Sequence, residues 1–147
     1  MELTAEQIQS NWEKFIGYIN TYISDPRKDQ LLKFYKKHEE EIMLMPASHK
    51  KAYHNAFPGG YVDHVNRVIE GALEINKVWY NFGAEQNYTI EELVFSAINH
   101  DLGKMEKKIT MHINPQLMNG EKRIWVKCIS LIIQLLICQF LNDPLNF

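Results

Sequence analysis

The sequence predicts an all-α protein, and three observations carry that expectation. Thr4-Ala5-Glu6-Gln7 and Thr89-Ile90-Glu91-Glu92 both have the form of a capping box, which marks a helix start. Apolar residues then recur at spacings of three and four, the period of a helix face. No stretch before Lys104 alternates in the way a half-buried strand does.

Each helix has its own signals. After Thr4, the residues Ile8, Trp12, Phe15, Ile19 and Ile23 form one apolar stripe. Asp25-Pro26 offers a cap and a first-turn proline for a second helix, with the stripe Leu31, Tyr35, His38 and Ile42. A lone histidine on such a stripe is ordinarily a packed or half-exposed residue. Pro46 closes this element. The connection "MPASHKKAYHNAFPGG" has room for one short helical turn and ends in the tight bend Pro58-Gly59-Gly60. A third helix is expected from about Tyr61, with the stripe Tyr61, Val65, Val68, Ala72, Ile75 and Trp79, stopping at Gly83. The fourth follows Thr89, turns Leu93, Val94, Ala97 and Ile98 inward, and ends at Gly103. The sequence contains no internal repeat.

Beyond Lys104 the pattern changes. "MEKKITMHINPQLMNGEKR" lacks clean periodicity, and "CISLIIQLLICQFL" is apolar almost all round. That run is too short for the roughly 20 residues a bilayer span needs, and Gln134 and Gln139 interrupt it. It reads either as a buried helix or as an exposed apolar segment that a homodimer would cover.

Composition narrows the function. At 147 residues the chain fits one domain, 1–147, able to bury about two-thirds of its unfolded surface. A formal net charge of -2 argues against a nucleic-acid groove binder, which carries a basic excess or stripe. The polar, acidic start "MELTAEQIQS" has no signal-peptide pattern, and no membrane partner is expected. Cys128 and Cys138 lack metal-type spacing, so a reduced, cytoplasmic protein is the default expectation.

Three residues carry the chemistry. His64 opens the third helix just after the Gly-Gly bend, and His100-Asp101 stands at the end of the fourth. Two imidazoles and a carboxylate suit a divalent ion of borderline or hard character. Three protein ligands leave positions open, as catalysis requires; a bound water then becomes a nucleophile near neutral pH while the metal polarises a phosphoryl oxygen. Helices packed with 8 to 10 Å between axes could bring the three side chains together. A histidine beside a glycine turn, or an isolated His-Asp pair, is more often structural; the combination with a rigid turn and a following Gly-Lys is what gives it weight.

"FPGGYVDHVNRV" followed by "AINHDLGK" resembles the HD superfamily of metal-dependent phosphohydrolases, most closely its small bacterial and phage members. The likeness covers about residues 52 to 104, which makes residues 1–104 family-like and residues 105–147 atypical. It implies an HD-like helical bundle in which His64, His100 and Asp101 hold a divalent ion: Mn, Fe, Co, Ni, Zn or Mg. It also implies that His54 lies near the site, against the alternative that it bonds the turn backbone. Lys104 is a candidate phosphate partner or a helix-end lysine, and Arg67 a candidate anion contact or a solvated arginine. Asp63 is most simply a favourable first-turn carboxylate.

The chain departs from the family in its final ligand. HD proteins add an aspartate from a later helix, and here only Asp143 follows Asp101, in "FLNDPLNF". Its surroundings do not resemble the family's last ligand helix, and His112 is no better supported. Read from the third base of A/T-rich codons, "LMNGEKRIWVKCISL" can yield a polar, helix-compatible string similar to the family's continuation. Residues from about Met105 onward are therefore read as the product of a frameshift. The expected function is hydrolysis of a nucleotide or another small phosphoester. The alternative is a catalytically degenerate module that binds metal or nucleotide, or serves as a helical interaction domain.

Overall fold

The computed structural model describes residues 2–48 and 55–102. Among them are five helices and no strand: α1 (Ala5–Tyr22), α2 (Arg27–Lys37), α3 (Glu39–Leu44), α4 (Gly60–Asn81) and α5 (Ile90–Asn99). The fold is all-α, as the spacing of apolar residues implies. No helix among the described residues is long and apolar enough to cross a membrane. The apolar segment after Lys104, the dimer interface assigned to it and the shift of frame from Met105 lie outside the described residues.

Both capping boxes form. The Gln7 amide donates to Thr4 Oγ1 at 3.2 Å while the Thr4 amide donates to Gln7 Oε1 at 2.9 Å. At α5 the Glu92 amide donates to Thr89 Oγ1 at 3.1 Å, and the Thr89 amide to Glu92 Oε2 at 2.8 Å. Each box satisfies amides that a helix start leaves without an intrahelical partner.

The second expected helix is divided. Asp25 does not cap it; Pro26 occupies the cap position without a side-chain bond, and the Asp25 carboxylate pairs with Lys28 at 3.4 Å. At His38 the backbone leaves helical geometry (φ -114°, ψ 22°), separating α2 from α3. Lys36 and Lys37 then stand at the carbonyl end of α2, and Glu39, Glu40 and Glu41 at the amide end of α3. Each charge opposes the local partial charge of its helix end, so the break is electrostatically favoured. Leu31, Tyr35 and Ile42 still point inward across it.

The core is built around α4, which packs against both α1 and α5. Trp12, Phe15 and Ile19 of α1 meet Tyr61, Val62, Val65 and Ile69 of α4 and Val94, Phe95, Ala97 and Ile98 of α5. Phe15 and Tyr35 meet edge to face with ring centroids 4.7 Å apart. Each large side chain buried this fully contributes about 1.5–3 kcal/mol of transfer free energy. The buried side of α4 differs from the expected stripe. Val68, Ala72, Ile75 and Trp79 are only half-buried, whereas Val62, Asn66, Ile69 and Asn76 are buried. Contact with two neighbours widens the inward face and turns it. Hydrogen bonds let the two asparagines enter: Asn66 Nδ2 donates to the Asn11 carbonyl at 2.8 Å, and Asn76 Oδ1 accepts from Gln86 and Tyr88.

Before α4 the chain makes a bend that only glycine permits. Gly59 has φ +80°, in the left-handed region. At Gly60 an added Cβ would lie 2.1 Å from the Asn55 carbonyl oxygen, inside any allowed contact. The loop is tied down by Asn55 Nδ2 donating to the Gly60 carbonyl and by the Tyr61 amide donating to the Met45 carbonyl at 2.9 Å. At the far end α4 stops at Asn81, with Gly83 at φ +75° just beyond. Helix α5 ends at Asn99, four residues earlier than the glycine stop expected at Gly103, with His100 as its C-cap residue.

Candidate metal centre

His64 lies one turn into α4, and the bend described above fixes the entry of that helix. Val65 and Ile69, both fully buried, lock the rotation of α4 about its axis and leave His64 at the edge of the core. His100 and Asp101 follow directly from α5, and Leu102 beyond them is buried in the same core. The pair is thus held between two packed segments.

These placements bring three donor atoms together. His64 Nε2 is 3.1 Å from His100 Nε2 and 3.3 Å from Asp101 Oδ2, and His100 Nε2 is 3.4 Å from the same oxygen. Their side chains are 19%, 20% and 13% exposed respectively, so the cluster borders solvent without being surrounded by it. Among the described residues it is the group of histidine and acidic side chains close enough to share one ion.

The donor set fits a divalent ion. Ligand atoms about 2.1 Å from one ion lie roughly 3.0 Å apart at octahedral angles and roughly 3.4 Å apart at tetrahedral ones. The three observed separations fall on that interval. Tautomer chemistry agrees. His100 Nδ1 is 2.8 Å from the Ala97 carbonyl oxygen, which can only accept, so this nitrogen carries the proton. Nε2 of a neutral His100 is then left with a lone pair directed at the cluster, the arrangement a metal-binding histidine needs.

Arg67 belongs to a neighbouring network. Its Nη2 donates to Asp63 Oδ2 at 2.8 Å and to Asn55 Oδ1 at 2.6 Å, with the side chain 60% exposed. Asn55 Nδ2 also donates to Asp63 Oδ2 at 2.7 Å. Asp63 therefore does more than complement the helix end: with Arg67 it clasps the loop that leads into α4. His54, Lys104, His112 and Asp143 lie outside the described residues.

A buried polar group lies behind the cluster and was not anticipated. Tyr35 donates to Asn99 Oδ1 at 3.2 Å, and Asn99 Nδ2 donates to the Phe95 carbonyl at 2.7 Å. Tyr61 is fully buried close by. Burial pushes both phenols above their ordinary range, and for Tyr61 the Asp101 charge adds to the effect. Asn99 was the legible signal: an amide on the inward face of an otherwise apolar helix needs a polar partner in the core. Comparison with family models, with curated proteins and with solved structures found no match for this chain.

Proposed function

We propose that the protein is a metal-dependent phosphohydrolase of the HD type, acting on a nucleotide or another small phosphoester. One observation carries the reading above the others: His64, His100 and Asp101, drawn from sites 36 residues apart, place three donor atoms within 3.4 Å of one another. The sequence likeness over residues 52 to 104 supports it independently.

A divalent ion at these residues supplies Lewis-acid charge and acidifies water near neutral pH. The chain's own groups shape the rest. Two neutral imidazoles and one carboxylate neutralise only one of the ion's two charges, so the centre keeps a net positive charge toward an anionic phosphoester. Lys104 and His54 are assigned to balance the substrate's phosphate charge. Arg67 is a weaker candidate for that role, because its charge already offsets Asp63. A small phosphoester suits a chain of net charge -2 better than a nucleic-acid backbone does, and a nucleotide substrate fits a cytoplasmic setting.

Elemental analysis of the purified chain, paired with phosphate release from a panel of nucleotides and generic phosphoesters under added Mn, Fe, Co, Ni, Zn or Mg, tests the proposal. The expected outcome is stoichiometric metal and measurable release, both lost in His64→Ala and in Asp101→Ala. A chain that takes up no ion would remove the reading altogether. Metal bound without turnover would favour a second reading, a degenerate module that binds metal or nucleotide without hydrolysis. That reading has its own observation in the sequence: the only aspartate after Asp101 is Asp143, and its surroundings do not resemble the family's last ligand helix.

A further inference from the structure

The side-chain ties around the start of α4 converge on two residues that bracket His64. Helix α4 begins on Gly59 and Gly60, the first of them a cap residue without a side-chain bond, so these residues do little to hold the first turn. Asn55 supplies the ties from outside the helix. Its Nδ2 donates to the Gly60 carbonyl at 3.1 Å and to Asp63 Oδ2 at 2.7 Å, and its Oδ1 accepts from Arg67 Nη2 at 2.6 Å. Arg67 Nη2 also donates to Asp63 Oδ2 at 2.8 Å, which closes a ring of three side chains. Asp63 directly precedes His64, and Arg67 follows it on the next turn. The ring is anchored elsewhere too: Asn11 of α1 reaches the other Asp63 oxygen at 3.5 Å, and the Ala47 amide donates to the Asn55 carbonyl at 3.0 Å. Asn55 stands at φ +53°, in the left-handed region, where glycine would be the easier residue. The chain keeps a side chain there and uses both of its polar atoms.

We propose that Asn55 is a positioning residue for the metal centre: through Asp63 and Arg67 it holds the first turn of α4, and so sets where His64 Nε2 stands against His100 and Asp101. The inference rests on the metal reading above and names a further residue of the same site. A ligand has to be held within about 0.5 Å of its productive place. The three donor separations span only 3.1 to 3.4 Å, so slight slack in that turn takes His64 out of the shared position. The body of α4 does not depend on the ring in the same way, because Val65 and Ile69 are fully buried in the core. Loss of the ring therefore acts on the ligand before it acts on the fold.

Asn55→Gly tests this role, because it removes the side-chain ties and leaves the left-handed backbone accessible. Metal affinity is measured by titrating Mn or Zn into the stripped protein, and the thermal midpoint of the stripped protein is measured beside it. Thr89→Ala serves as the reference, since it removes a helix cap at the opposite end of α5 from the cluster. The expected result is a dissociation constant raised about 10-fold in Asn55→Gly, the lower end of what losing an outer partner of a metal ligand costs, and unchanged in Thr89→Ala. Bound Co gives a second signature, because its visible absorption follows the geometry of its ligands. At saturating Co the bands should shift in Asn55→Gly and stay in place in Thr89→Ala. Arg67→Met, which cuts the ring at another point, should move both readouts the same way, and it carries the test if Asn55→Gly does not fold. An unchanged dissociation constant overturns the proposal while leaving the metal site standing. Binding weakened as much in Thr89→Ala, for the same loss of stability, also overturns it, since the effect would then be one of stability alone. If the parent itself binds no ion, the metal reading and this inference fall together.

Discussion

At the scale of single residues, the candidate centre depends on where protons sit. His100 Nδ1 donates to the Ala97 carbonyl, which leaves Nε2 of the neutral ring unprotonated. His64 Nε2 is 3.1 Å from that nitrogen, and two bare lone pairs at such a distance would repel. In protein stripped of metal, the neutral His64 must therefore hold its proton on Nε2, donating toward His100 or Asp101. To ligate a metal through the same atom it must move that proton to Nδ1. Nitrogen-15 NMR of the imidazoles, recorded with and without Zn, should show His64 exchanging tautomer while His100 keeps its own. A His64 already protonated at Nδ1 before metal is added would contradict this account. The three candidate ligands could be singled out in the sequence because His-Asp beside Gly-Lys and a histidine after Gly-Gly are local patterns. Their protonation was not, since it depends on a carbonyl three residues back and an imidazole from another helix.

At the scale of elements, helix ends proved more legible than helix rotation. The two capping boxes are strictly local, each a reciprocal pair of side-chain and backbone bonds over four residues, and both form as their sequences imply. Thr89→Ala removes one such pair and should lower stability by about 1 kcal/mol in urea unfolding. Metal affinity should change little, because His100 and Asp101 stand at the opposite end of α5. A loss of affinity larger than the loss of stability would mean that the cap also positions the site. The break at His38 could have been read from the change from Lys36-Lys37 to Glu39-Glu40-Glu41, a charge reversal that suits one helix ending and another beginning. The inward face of α4 could not. An amphipathic pattern specifies one stripe, whereas a helix packed between α1 and α5 buries a broader arc and accepts Asn66 and Asn76 through bonds to distant partners.

For the whole molecule, two carboxylates tie the chain together across long separations. Glu91, at the start of α5, accepts from Ser24 Oγ at 2.6 Å and pairs with Arg27 at 3.3 Å. Glu70 of α4 pairs with Lys14 of α1 and accepts from Tyr18 at 3.1 Å. The Ser24 hydrogen bond, aided by Arg27, holds Glu91 below its ordinary value of 4.5, and the Lys14 contact does the same for Glu70. A carboxyl whose folded pKa is lowered binds protons more weakly in the folded chain than in the unfolded one. Its stabilisation is present above the unfolded value and is lost as pH falls from about 4.5 through the folded value. Both groups border solvent, so salt should screen part of the effect. Thermal melts of the parent and of a Glu70→Gln/Glu91→Gln variant should therefore differ at neutral pH and converge as pH falls below 4.5 through the lowered folded values. A gap that stays constant across that range would show that neither carboxylate contributes through its charge.

What the sequence by itself determined is what can be written locally: helical periodicity, two capped starts, the glycine bend, and the residue types able to hold an ion. Tertiary structure alone decided that His64 and the pair at the end of α5 meet within 3.4 Å, that Arg67 clasps a loop, and that Tyr61 is fully buried. The physical reason is range. Backbone capping and turn geometry act over a few residues, whereas convergence and burial depend on how α1, α4 and α5 rotate against one another to close a single core.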